Sequence, residues 1–225
     1  MTVPPQERRY RARKCTDPGC GLRVPVEDGS PLGERCPLCR SPTELVDEPY
    51  ATHGIDRSHD PARLQLEVLV DNVRSLRNVG SMFRTADGSG VSHLYLGGIT
   101  PTPDHPKLAK TALGAEASVG WTHHPDAAAV AAELRARGRR LWALEGGPGS
   151  VSLFDPGLVV PDDEPLVVVV GHEVSGIDPR IVRCCERVIH VPMLGIKTSL
   201  NVSVALGVVC YALRFSTRTA LETRR

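Results

Sequence analysis

The feature that most constrains this chain is the run LVVVV at residues 166–170. Five consecutive apolar residues, four of them β-branched, are typical of a strand that is buried on both faces. From Arg63 onward, apolar runs of strand length alternate with stretches of helical periodicity. Such alternation with fully apolar strands predicts a parallel α/β sheet flanked by helices.

The individual elements of this unit follow from local patterns. Strands are expected at residues 64–70, 92–98, 139–147, 166–170 and 187–193. Helices are expected at residues 78–90, 106–116, 126–138 and 177–185. The helix at 126–138 has an N-cap in Asp126 and a stop in Gly138.

A last helix is predicted to open in TSLNVSVALGVV, residues 198–209. Its apolar face is formed by four residues at helical spacing: Val202, Ala205, Leu206 and Val209. Its first turn is polar and contains Ser199, Asn201 and Ser203. We expect Ser199 to accept hydrogen bonds from the free N–H groups of that turn.

Near the N-terminus, four of the seven cysteines are grouped as C-x4-C and C-x2-C, separated by fifteen residues. They are Cys15, Cys20, Cys36 and Cys39. This spacing predicts a tetrahedral zinc site, and the metal would stabilise a segment too short for a core of its own. Two disulfides are the alternative, which a cytoplasmic setting disfavours. The module either binds RNA or docks on the larger domain.

These patterns predict three segments in a chain of 225 residues. Residues 1–45 form a zinc-ribbon-like module with a basic N-terminal arm, and residues 46–61 form a linker with scattered charges and no periodicity. Residues 62–225 form the α/β domain, which is of ordinary size for a single domain.

Composition and charge are those of an ordinary globular protein: 41% of the residues are hydrophobic and 24% are charged. The net charge of +1 gives no overall attraction to nucleic acid, although both termini are rich in arginine. These basic ends either bind phosphates or are solvated tails. Without an apolar run of membrane-spanning length or a signal-peptide core, we expect a cytoplasmic protein that does not contact a membrane.

Polar residues and glycines follow several of the predicted strands, where parallel sheets bind ligands. The loops are DNVRSLRNVGSMFRTA (71–86), EGGPGS (145–150), GHEVSG (171–176) and PMLGIKTSLN (192–201). None has the glycine spacing of a phosphate-binding or dinucleotide-binding loop, which argues against a nucleotide-dependent oxidoreductase.

Three of these segments, taken together, resemble the motifs of a known protein family. NVGSMFRTA, GHEVSGI and VPM followed by SLNVSVA occur in this order and resemble the three motifs of the SpoU (TrmH-like) ribose methyltransferases of the SPOUT superfamily. The resemblance spans residues 64–215. It implies transfer of a methyl group from S-adenosylmethionine to a ribose 2′-hydroxyl of tRNA or rRNA, a C-terminal trefoil knot, and a homodimer that completes the active site.

The resemblance assigns roles to the residues of this chain that occupy the motif positions of the family. The resemblance implies catalytic roles for five residues: Asn78, Arg84, Glu173, Ser199 and Asn201. It implies that the methyl donor contacts six others: Leu144, Gly171, Val191, Pro192, Met193 and Leu200. His172 departs from the small or amide residue that is usual in the family. The four-cysteine module lies outside the family's common core.

The family's mechanism makes Arg84 the base that removes the hydroxyl proton. A guanidinium is essentially never deprotonated in a protein, so the alternative is that Arg84 binds a phosphate and stabilises developing charge. Glu173 would then hold a basic residue in place, and the two asparagines would orient loops and substrate. The alternative to an enzyme is a non-catalytic RNA-binding protein that keeps the fold.

Overall fold

A computed structural model of the chain describes residues 8–51, 64–160 and 164–215. The chain divides into two compact units, residues 1–60 and residues 61–225. Within the described residues, no helix has the length and apolar character needed to cross a membrane.

The first unit is a three-stranded antiparallel sheet. Its strands are β1 (Arg9–Cys15), β2 (Arg23–Glu27) and β3 (Thr43–Ala51), in the order β2-β1-β3. The predicted linker is therefore wrong for residues 46–51, which belong to β3. The pairing of β1 and β3 shifts register between Tyr10 and Ala12, and Asp47 adopts a φ of 60°. This bulge accommodates Pro49 within a strand, which the sequence pattern alone did not show.

The second unit contains a seven-stranded sheet in which every pairing is parallel. The strands are β4 (Leu66–Asp71), β5 (His93–Gly97), β6 (Gly120–His124), β7 (Arg140–Leu144), β8 (Val151–Ser152), β9 (Leu166–Val170) and β10 (Arg187–His190). Their order is β6-β5-β4-β9-β7-β10-β8. Strand β9 is buried along its whole length. The predicted parallel α/β architecture is confirmed.

Helices connect these strands. They are α1 (Leu76–Ser89), α2 (Ala109–Ala112), α3 (Ala127–Ala136), α4 (Pro179–Val182) and α5 (Val202–Phe215), with a 3-10 turn at Ala115–Ala117. The Asp126 carboxylate caps α3, as predicted. The helix predicted at 106–116 is shorter than expected because Leu113 and Gly114 adopt left-handed backbone conformations that end α2.

Helix α5 begins later than the sequence suggested. The Asn201 carboxamide oxygen accepts from the N–H groups of Ser203 at 2.9 Å and Val204 at 3.4 Å. Asn201 is therefore the cap, and the expectation that Ser199 caps this helix is wrong. Because the helix starts at Val202, Thr198, Ser199 and Leu200 remain in the loop that precedes it.

Helices pack on both faces of the sheet. Helices α1 and α5 bury Phe83 and Leu206 in one core, and α3 and α4 bury Leu134 and Ile181 in the other. From the adjacent strands β4 and β9 the chain continues in opposite directions: β4 is followed by its neighbour β5, and β9 is followed by β10, which lies on the other side beyond β7. Their carboxyl ends therefore form a switch in strand order, the place where open α/β sheets bind ligands.

Candidate active site

A cavity of about 750 Å³ opens at the carboxyl ends of β7, β9 and β10. Its walls come from four segments: residues 144–150, 171–176, 190–193 and 198–205. Five of the six predicted donor-binding residues line it: Leu144, Gly171, Val191, Met193 and Leu200. Pro192 lies between two lining residues but is outside the lining itself. A volume of this size is typical of a small-molecule site.

Three of the predicted catalytic residues also line this cavity: Glu173, Ser199 and Asn201. Glu173 follows β9 and reaches the N-terminus of α1. Its two carboxylate oxygens accept from the backbone N–H groups of Arg74 and Ser75, each at 3.1 Å. The Asn78 carboxamide also donates to this carboxylate at 3.1 Å. An anion in this position is stabilised by the free N–H groups and the dipole of the helix.

The surroundings of Glu173 lower the pKa of its carboxyl. Partial burial raises the pKa, but the backbone N–H groups of Glu173, Arg74 and Ser75 and the Asn78 side chain stabilise the charged form and give a net lowering. Glu173 is therefore an ionised carboxylate near neutral pH that acts as a hydrogen-bond acceptor.

Asn78 and Asn201 join the first and third motifs. The Asn201 carboxamide donates to the Asn78 oxygen at 3.0 Å, while Asn78 donates to Glu173. One hydrogen-bonded chain, Asn201–Asn78–Glu173, therefore links α5, α1 and the loop after β9. Ser199 lines the cavity from the loop before α5. The structure thus brings four of the five predicted catalytic residues together.

Arg84 is the exception. It lies on α1, two turns beyond Asn78, where its side chain is exposed and outside the cavity lining defined by the described residues. The opposite face of α1 is buried and holds Val79, Met82 and Phe83. Within a single chain, the guanidinium therefore does not reach the cavity.

Two glycines allow the loop after β9 to close tightly. A Cβ on Gly171 would lie 2.4 Å from the Gly176 carbonyl carbon, and Gly176 has a φ of +72°. A Cβ on Gly176 would lie 2.6 Å from the Glu145 carboxylate. That carboxylate accepts from the Ile177 N–H at 3.1 Å and so holds the far end of the loop. A side chain at Gly171 would therefore clash with the backbone of the loop, and one at Gly176 would be strained and would displace the Glu145 carboxylate.

Several cavity residues were missed by the sequence reasoning. Glu145, Ser150, His190, Val202 and Ala205 all belong to the lining. Within this group, the His190 imidazole is hydrogen-bonded to the Ser150 hydroxyl at 2.9 Å. The available signal for Glu145 was its position directly after the carboxyl end of a strand.

In the first unit, the four predicted metal ligands form one cluster. The sulfurs of Cys15, Cys20, Cys36 and Cys39 all lie within 4.8 Å of one another, with Cys15 and Cys39 at 3.4 Å and Cys20 and Cys36 at 3.7 Å. A disulfide requires about 2.05 Å, whereas zinc–sulfur bonds of about 2.3 Å in a tetrahedron place sulfurs about 3.8 Å apart. All four are free thiols, and their arrangement fits a tetrahedral metal ion. In the absence of a metal ion, hydrogen bonds from Ser41 lower the pKa of the Cys39 thiol, whereas burial raises the pKa of the Cys15 thiol.

Taken together, a parallel sheet, a cavity at its carboxyl edge and an ordered set of polar residues define a ligand-binding α/β domain. Comparison with known proteins identifies the family. Residues 65–211 match the SpoU rRNA Methylase family, and the chain belongs to it.

Individual relatives are 30–33% identical to the chain over the part that matches. The 23S rRNA (guanosine(2553)-2′-O)-methyltransferase RlmP of Bacillus subtilis is 30% identical over 65% of this chain and 57% of its own length. The tRNA (guanosine(18)-2′-O)-methyltransferase of Aquifex aeolicus is 33% identical over 65% of this chain and 67% of its own length. The chain therefore spans little more than half to two thirds of these relatives.

Solved structures show the same fold. The AdoMet-bound rRNA methyltransferase of Sinorhizobium meliloti superposes with a TM-score of 0.62 at 25% identity, covering 68% of this chain and 57% of that one. Its name states that the donor is bound in that protein.

Proposed function

We propose that this protein transfers a methyl group from S-adenosylmethionine to a ribose 2′-hydroxyl of tRNA or rRNA. The observation that carries the proposal is the hydrogen-bonded chain Asn201–Asn78–Glu173 at the edge of the 750 Å³ cavity. It joins three sequence motifs at one point. Family membership and relatives named as 2′-O-methyltransferases support it.

The cavity is the proposed donor site. Backbone groups of Gly171, Val191 and Leu200 would hold the donor, with Leu144, Pro192 and Met193 beside it. The bound donor supplies a sulfonium methyl group. In the reaction, the bond from methyl carbon to the ribose oxygen forms as the bond from carbon to sulfur breaks, and the hydroxyl proton leaves to water or a nearby base. Positioning of the two reactants contributes much of the acceleration in such a displacement.

Four residues of this chain supply that positioning. Ionised Glu173 fixes the start of α1 and the Asn78 side chain. Asn78 and Asn201 orient the loops at the cavity edge, and the Ser199 hydroxyl is available to the donor or the acceptor ribose. Arg84 supplies positive charge to the neighbouring phosphate and to the oxygen that develops charge.

A homodimer accounts for the position of Arg84. Helix α5 exposes an apolar face in which Val204, Tyr211 and Phe215 are 52%, 47% and 57% exposed. Contiguous exposed apolar surface of this kind marks a protein interface. In the proposed dimer this face packs against a second copy, and Arg84 of one protomer reaches the cavity of its partner. The trefoil knot and a cytoplasmic location stay predictions from the sequence.

Zinc is the proposed metal of the four-cysteine cluster, in which it would hold the ends of β1 and the two cysteine turns together. The module would then help to bind RNA. Metal analysis of the purified protein tests this: one zinc per chain is expected, and Cys36→Ser, which replaces a fully buried ligand, should lose it. A metal-free wild-type protein with the fold of the module intact would contradict the zinc assignment.

Donor binding separates the enzyme from its alternatives. Titration calorimetry with S-adenosylmethionine should give one site per chain, whereas NAD should not bind. Absence of donor binding together with RNA binding would support the non-catalytic RNA-binding protein instead.

Arg84→Ala tests the catalytic assignment. We expect loss of methyl transfer to RNA with donor binding and the dimer retained. Loss of folding would contradict the catalytic role. Mapping of 2′-O-methyl sites in a strain without this protein, compared with its parent, identifies the RNA and the nucleotide.

A further inference from the structure

His172 occupies an unusual position in the loop after β9, because its side chain folds back onto its own loop. The imidazole Nδ1 accepts from the backbone N–H groups of Val174 at 3.1 Å and Ser175 at 3.2 Å. The main chain of His172 also exchanges two hydrogen bonds with Gly176, at 3.1 Å and 3.0 Å. Residues 172–176 therefore form a closed loop with the imidazole as its internal acceptor.

This geometry defines the chemical state of the imidazole. A ring nitrogen that accepts hydrogen bonds carries no proton, so the neutral ring has its proton on Nε2. Protonation of the ring would place a second N–H opposite two backbone N–H groups, and both bonds to Nδ1 would be lost. The loop as described therefore requires neutral His172.

The loop holds Glu173 between two fixed residues. Glu173 lies between His172 and Val174, and its carboxylate reaches Arg74, Ser75 and Asn78 at the start of α1. The imidazole holds the backbone that follows Glu173, and the main-chain bonds between His172 and Gly176 hold the backbone that precedes it. The direction of the Glu173 side chain therefore depends in part on the bonds to Nδ1. A loop that opened at Val174 would release the carboxylate from α1.

His172 also borders two cavities. It lines the 750 Å³ cavity and a second cavity of about 400 Å³ at the carboxyl ends of β4 and β9. The ionisable groups that share these cavities with it are Glu145, Glu173 and His190 in the first and Asp71 and Asp178 in the second. Asp178 is paired with Arg180. A change in this loop therefore alters the wall of the donor site directly.

We propose that His172 is a positioning residue of the methyl-transfer site: its neutral imidazole holds residues 172–176 in the conformation that delivers Glu173 to Asn78. This inference rests on the proposed function. Ionisable side chains share both cavities with His172, so the test compares the wild type with variants at position 172 alone.

Two substitutions distinguish the effect of losing the hydrogen-bond acceptor from the effect of losing the imidazole ring. His172→Ala removes the acceptor, and we expect a loss of about tenfold in kcat/KM, the scale of one to two net hydrogen bonds. His172→Asn retains a side-chain oxygen that accepts from the N–H groups two and three residues onward, as in an Asx turn. It should recover most of the activity that His172→Ala loses.

His105→Asn is the matched control. The Nδ1 of His105 accepts from the Lys107 N–H at 3.2 Å, which is the same i to i+2 bond that His172 makes to Val174, and His105 lies outside the lining of both cavities. This variant should keep the activity of the wild type. The ¹⁵N chemical shifts of the His172 ring give a readout independent of activity and should report the Nε2–H tautomer.

The outcomes are distinct. Wild-type protein that binds no S-adenosylmethionine refutes the proposed function and this inference with it. If the wild-type protein is active, unchanged kinetics in His172→Ala refute the role of His172 alone. A His172→Asn variant that is no more active than His172→Ala refutes it as well. If His172→Ala does not fold, His172→Asn and the ring shifts still decide, because a ring protonated on Nδ1 at neutral pH contradicts the geometry.

Discussion

Substitution of Glu173 by glutamine tests the role of its charge with little change in shape. The carboxylate accepts three hydrogen bonds, one on one oxygen and two on the other. A glutamine has one acceptor oxygen, so in its better orientation it keeps the bonds from Ser75 and Asn78 and turns an NH2 group toward the Arg74 N–H. One bond is lost and two donors then face each other.

The expected cost follows from these contacts. A hydrogen bond to a charged group contributes about 1.5–3 kcal/mol and one between neutral groups about 0.5–1.5 kcal/mol. Because Glu173 is exposed, solvent screens these bonds and lowers their contributions below those ranges. We expect Glu173→Gln to lower the free energy of unfolding by about 1–2 kcal/mol. Glu173→Ala, which loses all three bonds, should cost about 2–3 kcal/mol.

The loss of stability in Glu173→Gln depends on pH in a defined direction. The pKa of Glu173 is lowered in the folded protein, so the carboxylate stabilises the fold above its unfolded pKa of about 4.3. That contribution is lost as the pH falls through the lower, folded pKa. The difference between wild type and Glu173→Gln should therefore be constant near neutral pH and decrease below about pH 4.

Urea unfolding followed by tryptophan fluorescence measures this, because both tryptophans, Trp121 and Trp142, lie in the second unit. Glu186→Gln is the control: its carboxylate pairs with Arg140 at the surface, and its loss should cost less than about 1 kcal/mol. Equal stability of Glu173→Gln and wild type at pH 7, or a difference that grows toward low pH, would refute the reasoning.

Three further substitutions have expected outcomes in the same unfolding assay. Gly171→Ala should destabilise the protein by about 1–3 kcal/mol and weaken donor binding in calorimetry, because its Cβ would lie 2.4 Å from backbone of Gly176. Leu206→Ala leaves a cavity under α5 and should cost about 2–5 kcal/mol; a smaller loss would mean that the helix is not packed as described. Asn201→Ala removes the cap of α5 and should cost about 1 kcal/mol, while an unchanged midpoint would contradict the capping role.

The sequence predicted the elements whose signal is local or strongly periodic. The buried run at β9 and the Asp126 cap of α3 are of this kind, and the parallel sheet follows from the alternation of such elements. Elements that depend on a neighbour were missed. Strand β8 has two residues and exists through its pairing with β10, and β3 continues through Pro49 because a bulge against β1 accommodates it.

The candidate site likewise contains features that the sequence predicted and features that depend on how separate elements pack together. Motif positions were sufficient to locate Glu173, Ser199 and Asn201 at one cavity, because the carboxyl ends of parallel strands share an edge. Their partners were not predictable, since the Asn78–Asn201 bond depends on how α1 and α5 dock. Arg84 is on the correct helix but outside the cavity of its own chain, and its catalytic role remains a prediction.

The chain Asn201–Asn78–Glu173 joins residues that are 95 and 123 positions apart in the sequence. During synthesis, a polypeptide that ends at β10 already contains Glu173 and Asn78 but neither Asn201 nor helix α5, which Asn201 caps. Contacts of such long range form slowly because the intervening chain must first be ordered. The nascent protein therefore has its sheet before it has a complete site, and competence to bind a ligand there arises only when α5 has left the ribosome and docked.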